Sequence, residues 1–157
     1  MPVDLSTPAS TEVGRMCSRN VMTIGLTEDL TTAARAMRTG HVGFLVVRDE
    51  DNRRVVGVLT DRDVVVSVVA READPRSLKV ADVMTRNPLL ISEDCALDAT
   101  LGFMRDAGVR RVPVVRGDHE LVGVLSLDDV LERMAHQLTS VVSAYRSEVR
   151  TERAVRP

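Results

Sequence analysis

The sequence contains the same unit twice, and this repeat limits the fold more than any other feature. Four successive segments of the first half match four segments of the second half at an offset of 65 to 68 residues. The matched segments are residues 13–20 with 80–87, 27–29 with 92–94, 44–47 with 112–115, and 55–60 with 121–126. Because their order and spacing are kept, both halves are predicted to fold into one type of small unit.

Each copy combines one helical face with two strand-like runs. The spacing i, i+3, i+4, i+7 of a helix face occurs at Leu30, Ala33, Ala34 and Met37, and again at Leu97, Thr100, Leu101 and Met104. We expect the first helix to be two residues shorter at its start than its counterpart. Polar turns at 48–52 and 116–120 separate two Val- and Leu-rich strands in each copy. The predicted order is therefore strand, helix, strand, strand, helix.

The strand runs do not alternate between apolar and polar residues, which is typical of a sheet covered on both faces. The helices of one copy cover one face, so the sheet of the other copy is expected to cover the second. We predict an α/β (α+β) fold of two tandem β-α-β-β-α repeats, packed sheet to sheet with pseudo-twofold symmetry, plus an extended C-terminal helix. The predicted segments are a flexible N-terminus at 1–12, a first domain at 13–70, a linker at 71–79, a second domain at 80–138, and a helical extension and tail at 139–157.

The composition argues against several classes of function. Lys and Arg number 21 against 23 Asp and Glu, and this net charge of −2 gives no broad attraction to nucleic acid or to an anionic membrane. Aromatic residues make up 2% and offer few stacking surfaces for single-stranded nucleic acid. The sequence shows neither a signal-peptide pattern nor a run near the ~20 apolar residues of a membrane helix. Cys17 and Cys95 have no C-x-x-C spacing, so we expect a cytoplasmic location with reduced thiols.

The motif G-V-L-[ST]-x-x-D occurs in both copies, at 57–63 and 123–129. Thr60 and Ser126 stand where a strand ends and a helix begins, and the free backbone N–H groups of a helix start attract phosphate. Asp63 and Asp129 can each accept hydrogen bonds from both hydroxyls of a ribose, as an acidic residue does in dinucleotide-binding folds. The same spacing also fits a helix N-cap, and the two roles can coexist.

These motifs, with V-M-T at 83–85 and R-R-V-P-V-V at 110–115, resemble the CBS (cystathionine β-synthase) domain over residues 13–138. The resemblance implies a regulatory sensor module without an obligatory cofactor. It would bind an adenosine-containing ligand (AMP, ADP, ATP, NAD or S-adenosylmethionine) between the repeats and signal to a partner protein. It also implies a disc-like dimer of such pairs. The alternative is a structural interaction module without ligand, which the short first helix and a missing proline at Leu45 favour.

The resemblance assigns ligand phosphates to Arg110 or Arg111. Because successive side chains of a strand point to opposite faces, we expect one of the two to reach the cleft, and a solvated pair is the alternative. In the first repeat, Val42 and Gly43 are expected to hold the equivalent positions and Leu45 to replace the proline, so the two sites should differ. The candidates for an apolar adenine slot are Val42, Phe44, Val112, Pro113, Ile24 and Ile91.

We find no sequence motif of an enzyme or a metal centre. The three histidines and two cysteines do not have the spacing of zinc ligands. Glycine-rich phosphate loops and nucleophile motifs are also missing. We therefore expect neither catalysis nor a bound metal.

An apolar seam follows the second repeat at a spacing of 4-3-4-3-4 residues, through Leu127, Leu131, Met134, Leu138, Val141 and Tyr145. The helix that carries it should extend at least two turns beyond the repeat. The seam either packs back on its own domain or contacts a second copy. We expect a homodimer, because the added apolar face exceeds what the repeat pattern uses.

Overall fold

The computed structural model describes residues 12–51 and 54–155, so the predicted flexible N-terminus lies almost entirely outside the described residues. The helices are α1 (Leu30–Gly40), α2 (Asp61–Ser67), α3 (Val80–Val83), α4 (Leu97–Ala107) and α5 (Leu127–Val155), with 3-10 turns at Val13–Arg15 and Val69–Arg71. The strands are β1 (Thr23–Gly25), β2 (Phe44–Arg48), β3 (Val55–Thr60), β4 (Thr85–Arg86), β5 (Ile91–Ser92), β6 (Arg111–Arg116) and β7 (Glu120–Ser126).

The strands form two sheets of related topology. The first sheet has the order β1-β2-β3-β4 and the second has the order β5-β6-β7. In both, a parallel pair (β1 with β2, β5 with β6) is followed by an antiparallel hairpin. An isolated bridge between Ser18 and Val124 takes the place in the second sheet that β4 takes in the first.

The two sheets pack face to face, as predicted. Val46 and Val55 of the first sheet and Val115 and Val124 of the second form a central apolar cluster between them. On the opposite face, the first sheet is covered mainly around α1 and the second mainly around α4, each with a contribution from the other repeat. The predicted arrangement of two repeats packed sheet to sheet, with a long C-terminal helix, is confirmed.

The two repeats exchange the segments that precede their first long strands. We call residues 13–18 and 80–86 the leading segments. Val13 of the first leading segment is fully buried in the core of the second repeat. Val80 and Met84 of the second leading segment are buried in the core of the first repeat. Each repeat therefore completes its core with a segment of the other.

The glycine of each G-V-L motif lies where a leading segment crosses a strand. A Cβ atom on Gly123 would meet the Ser18 carbonyl oxygen and the Cys17 Sγ atom, both at 2.6 Å. A Cβ atom on Gly57 would meet the Met84 Sδ atom at 2.6 Å. Both distances are well inside van der Waals contact, so any larger residue would push the leading segment off the sheet.

The strand register differs from the sequence prediction by one residue. Phe44 pairs with Thr60, and Arg111 pairs with Ser126. Phe44 is thus the counterpart of Arg111, whereas the sequence match had aligned it with Val112. The turns before the two strands set this register. His41 and Gly108 each end a helix in the left-handed conformation, and the strand residues Phe44 and Arg111 follow them at the same distance.

This shift of one residue exchanges the two faces of the strand. Leu45 now corresponds to Val112, and both are buried in the helix-side cores. Val46 holds the place of Pro113. The interpretation of Leu45 as a lost proline is therefore wrong.

The expected difference in helix length is also wrong. Helices α1 and α4 each contain 11 residues. Their N-caps are Asp29 and Ala96, and the turns before the two helices are equally long, because Leu30 follows Ile24 at the same distance as Leu97 follows Ile91. The sequence match had paired Asp29 with Asp94, whereas the structure pairs the N-cap Asp29 with Ala96.

Helix α5 begins against its own sheet and then leaves it. Val130 is 3% exposed, but the seam residues that follow are between 57% and 66% exposed: Leu131, Met134, Leu138, Val141 and Tyr145. The structure thus does not show the seam packed back on its own domain. No helix in the described part of the chain has the length and apolarity needed to cross a membrane.

The crossing at Gly123 yields a stability prediction. Gly123→Ala should lower the free energy of unfolding by about 1–3 kcal/mol, because the new methyl group overlaps the Ser18 carbonyl. Gly102→Ala is the matched control. Gly102 lies inside α4 with nothing within 4 Å of the added carbon, so this change should stabilise the helix by about 1 kcal/mol. Urea denaturation measures both, and equal midpoints for the two variants would contradict the crossing as described.

Candidate functional site

Two clefts lie where the end of a strand meets the start of a helix. The first cleft has a volume of about 470 Å³ and is formed by the β3–α2 junction, the residues after the second leading segment, and the turn before β6. The second cleft has about 280 Å³ and is formed by the β7–α5 junction, residues 18–22, and the turn before β2. Binding pockets for small molecules usually measure roughly 300–1,000 Å³, so the first cleft is large enough for one and the second is slightly small.

Thr60 and Asp63 form a complete capping box at the start of α2. The Thr60 hydroxyl donates to Asp63 Oδ2 at 2.7 Å, and the Thr60 N–H donates to the same oxygen at 2.9 Å. The Asp63 N–H donates back to Thr60 Oγ1 at 3.1 Å. Capping is therefore real at this position. Among the described residues nothing donates to Asp63 Oδ1, which leaves one carboxylate oxygen for a ligand in the cleft that both residues line.

Ser126 and Asp129 make a related arrangement at the start of α5. The Ser126 hydroxyl donates to Asp129 Oδ2 at 2.6 Å, and the Asp129 N–H donates to Ser126 Oγ at 3.1 Å. Both line the second cleft. The sequence motif thus places its two hydroxyl–carboxylate pairs in two separate clefts.

Arg110 and Arg111 both line the first cleft. The expectation that one of them would point away is wrong, because β6 begins at Arg111 and Arg110 still belongs to the turn, where the alternation of a strand does not apply. Arg111 also lines the second cleft, and its Nη2 atom lies 3.4 Å from Asp128 Oδ2.

The predicted adenine-slot residues separate into two groups. Phe44 lines both clefts, Pro113 the first and Val42 the second. Ile24, Ile91 and Val112 instead lie in the helix-side cores, 7%, 3% and 1% exposed, and line neither cleft. Val112 follows Arg111 in the strand and therefore points to the opposite face, while Ile24 and Ile91 pair with core residues of the adjacent strands. Assigning these three to the slot was wrong.

Several lining residues were missed by the sequence analysis. Asp61 and Arg62 of the first cleft occupy the variable positions of the motif itself and were accessible from the sequence. Thr85 and Leu89 reach the first cleft through the exchanged segment. That contact depends on the tertiary fold, and no local sequence pattern predicts it.

The clefts differ in charge. Arginines 62, 110 and 111 line the first cleft against aspartates 61 and 63. Among the described residues that line the second cleft, Arg111 is the one arginine, with Asp129 as the one carboxylate and His41 beside them. The first cleft therefore attracts an anion more strongly than the second.

The described residues do not form a cluster suited to holding a metal ion. No three His, Cys, Asp or Glu side chains of the described ranges converge on one point. Cys17 is buried and its thiol donates to the Gly14 carbonyl. Burial raises the pKa of Cys17, which keeps the thiol protonated at neutral pH.

Comparison with known proteins gives a consistent result. The family model of the CBS domain matches the chain twice, at residues 13–70 and 80–136. Hypoxic response protein 1 of Mycobacterium tuberculosis is 31% identical over 133 residues, which is 81% of this chain and 92% of that protein. The uncharacterized protein MK0525 of Methanopyrus kandleri is 30% identical over 123 residues, 78% of this chain but 62% of that protein.

Solved structures agree with the fold. Hypoxic Response Protein I with two coordinated zinc ions superposes with a TM-score of 0.70 at 30% identity, covering 78% of this chain and 98% of that one. CBS domain protein PAE2072 from Pyrobaculum aerophilum, complexed with AMP, gives 0.69 at 25% identity, covering 76% and 89%. The CBS domain pair of protein MJ0100, in complex with 5'-methylthioadenosine and S-adenosyl-L-methionine, gives 0.71 at 22% identity, covering 82% and 99%.

Proposed function

The chain belongs to the CBS domain family, and on this ground we propose that it is a non-catalytic regulatory module that binds an adenosine-containing ligand in the first cleft. The observation that carries the proposal is the convergence, in one cavity of about 470 Å³, of a capped helix start, three arginines and an apolar wall. These three parts suit the ribose, the phosphate and the base of a nucleotide. AMP, the ligand named for PAE2072, is the first candidate.

Asp63 is the proposed ribose contact. Its Oδ2 atom is held by Thr60, which fixes the carboxylate at the start of α2, and its Oδ1 atom accepts from no described residue. A carboxylate accepts hydrogen bonds at both oxygens, so the capped Asp63 still serves a ribose hydroxyl.

Arg62, Arg110 and Arg111 are the proposed phosphate contacts. A phosphate monoester carries a charge of roughly −1.5 to −2 at pH 7, and guanidinium groups bind it with paired hydrogen bonds. Phe44, Leu89 and Pro113 provide the apolar wall against which the adenine would lie. Nothing in this scheme requires a metal or a further cofactor.

The second cleft suits a ligand with less negative charge. Gly43 and Phe44 stand there in place of Arg110 and Arg111. An adenosine compound without phosphates, such as the 5'-methylthioadenosine or S-adenosyl-L-methionine named for MJ0100, fits this charge balance better than ATP or ADP. NAD, with its two phosphates, is more suitable for the first cleft.

The alternative of a ligand-free interaction module has lost one of its two arguments, because α1 is as long as α4. The first repeat still lacks the proline, but at Val46 and not at the core residue Leu45. In the proposed function, ligand binding shifts the module between two conformations, and a partner protein responds to that shift. Two cysteines without a disulfide support a reducing compartment, and we propose the cytoplasm.

A second copy of the chain is the proposed occupant of the α5 seam. The stretch from Met134 to Tyr145 contains no Asp, Glu, Lys or Arg. Each large aliphatic side chain left in water forgoes roughly 1.5–3 kcal/mol, and a symmetric partner is the usual way to cover such a face.

The ligand proposal is tested with a thermal-shift and calorimetry panel of AMP, ADP, ATP, NAD and S-adenosylmethionine. We expect at least one to bind with micromolar to millimolar affinity. A ligand at 100 times its dissociation constant should stabilise the fold by about 2.7 kcal/mol. Absence of both heat and stabilisation for all five compounds would leave the interaction module as the function.

Asp63 allows capping and binding to be separated. Asp63→Ala should lower ligand affinity by roughly 1.5–3 kcal/mol, because the lost hydrogen bonds involve a charged acceptor. It should lower the free energy of unfolding by about 1 kcal/mol through the lost cap. Asp63→Asn is the control, because the amide oxygen of asparagine can still accept the capping hydrogen bonds while the side chain carries no charge. If Asp63→Ala costs stability while affinity is unchanged, the residue is only a cap.

The dimer is tested by light scattering at several concentrations. The full chain should have the mass of two chains, and truncation after Gln137 should reduce it to one. Leu138→Glu should do the same, whereas Ser140→Glu on the opposite side of α5 should not. The chain has no Trp and one Tyr, so the fluorescence of Tyr145 reports on α5 directly. A monomeric full chain would refute the dimer, and a dimeric truncation would move the contact to the repeat helices.

A further inference from the structure

Arg111 forms part of the wall of both clefts and is held by an acidic residue outside them. Its Nη2 atom lies 3.4 Å from Oδ2 of Asp128, the second residue of α5. The two side chains are 40% and 73% exposed. Asp128 lines neither cleft itself. Its contact with the clefts therefore passes through the guanidinium group of Arg111.

The first repeat has no such pair. The counterparts of Arg111 and Asp128 are Phe44 and Arg62, by the strand register and by the position after the motif hydroxyl. Within the described ranges, neither Arg62 nor Arg110 forms an ion pair. Of the three cleft arginines, Arg111 alone is bound to a carboxylate of the same chain.

We infer that Asp128 competes with the ligand's phosphate for Arg111, so that a phosphate-bearing ligand in the first cleft breaks the Arg111–Asp128 pair. This inference rests on the proposed function. An exposed ion pair of this kind is weak and easily exchanged. A phosphate has more charge and more acceptor oxygens than a carboxylate, and Arg62 and Arg110 already favour its position in the cleft.

When the phosphate replaces Asp128 as the partner of Arg111, the freed carboxylate of Asp128 remains in a favourable position. It lies in the first turn of α5, where the helix dipole stabilises a free carboxylate. The released side chain therefore needs no new partner. Adenosine has no phosphate and leaves the pair intact. Asp128 thus reduces the preference of the first cleft for phosphorylated over unphosphorylated ligands, and it connects cleft occupancy to the base of α5.

The test compares AMP with adenosine by isothermal titration calorimetry on the full chain. Asp128→Asn should strengthen AMP binding about twofold to fivefold, the range expected from an exposed ion pair, and leave adenosine binding unchanged. Asp118→Asn is the matched control. It removes the same charge from the β6–β7 turn, outside both clefts, and should change neither affinity.

A double variant decides whether Asp128 acts through Arg111. Arg111→Gln should weaken AMP binding at least tenfold, and adding Asp128→Asn to it should then have no further effect. If Asp128→Asn still strengthens AMP binding without Arg111, the aspartate acts by simple repulsion and the inference is overturned. The inference is also overturned if AMP binds the wild type and the single Asp128→Asn variant with the same affinity. If AMP binds no variant, the inference is overturned, and the proposed function is refuted as well only if ADP, ATP, NAD and S-adenosylmethionine also fail to bind the wild type.

Discussion

The fold depends on the close crossing of each leading segment over a strand of the other repeat. At Gly123 the backbone of Ser18 comes so near that no side chain fits, and at Gly57 Met84 occupies the equivalent space. Through these crossings Val13 and Val80 fill cores that their own repeats do not contain. Neither repeat can therefore close its core alone. The two clefts exist only because the repeats are joined in this way, since each cleft takes residues from both.

In the proposed function, one local motif serves stability and recognition together. The hydroxyl and carboxylate of Thr60 and Asp63 satisfy backbone groups at the start of α2, and this same bonding fixes the carboxylate of a residue that lines the cleft. A side chain fixed by capping loses little further freedom when a ligand binds. The cap and the binding residue are thus not competing explanations, and the energetic cost of ordering Asp63 is met during folding.

Much of this was accessible from the sequence, and the failures have a common origin. The repeat and the buried strand runs were sufficient for the sheet-to-sheet fold, and the motif at 57–63 placed Thr60 and Asp63 correctly because its geometry is local. Val112 and Leu45 were misplaced because a strand's side chains change face at every residue, so an alignment error of one position reverses the prediction. Thr85 and Leu89 could not be found, because the exchange of leading segments is a tertiary contact without a local signal.

The length of α5 has a mechanical consequence. At about 1.5 Å per residue, Tyr145 stands roughly 25 Å along the helix from Asp128. A straight helix moves as a rigid rod, so a tilt of about 5° at its base displaces the side chain of Tyr145 by about 2 Å. Displacements of this size are enough to disrupt close packing between apolar side chains. A change too small to alter the shape of the cleft can therefore be amplified at the far end of the helix.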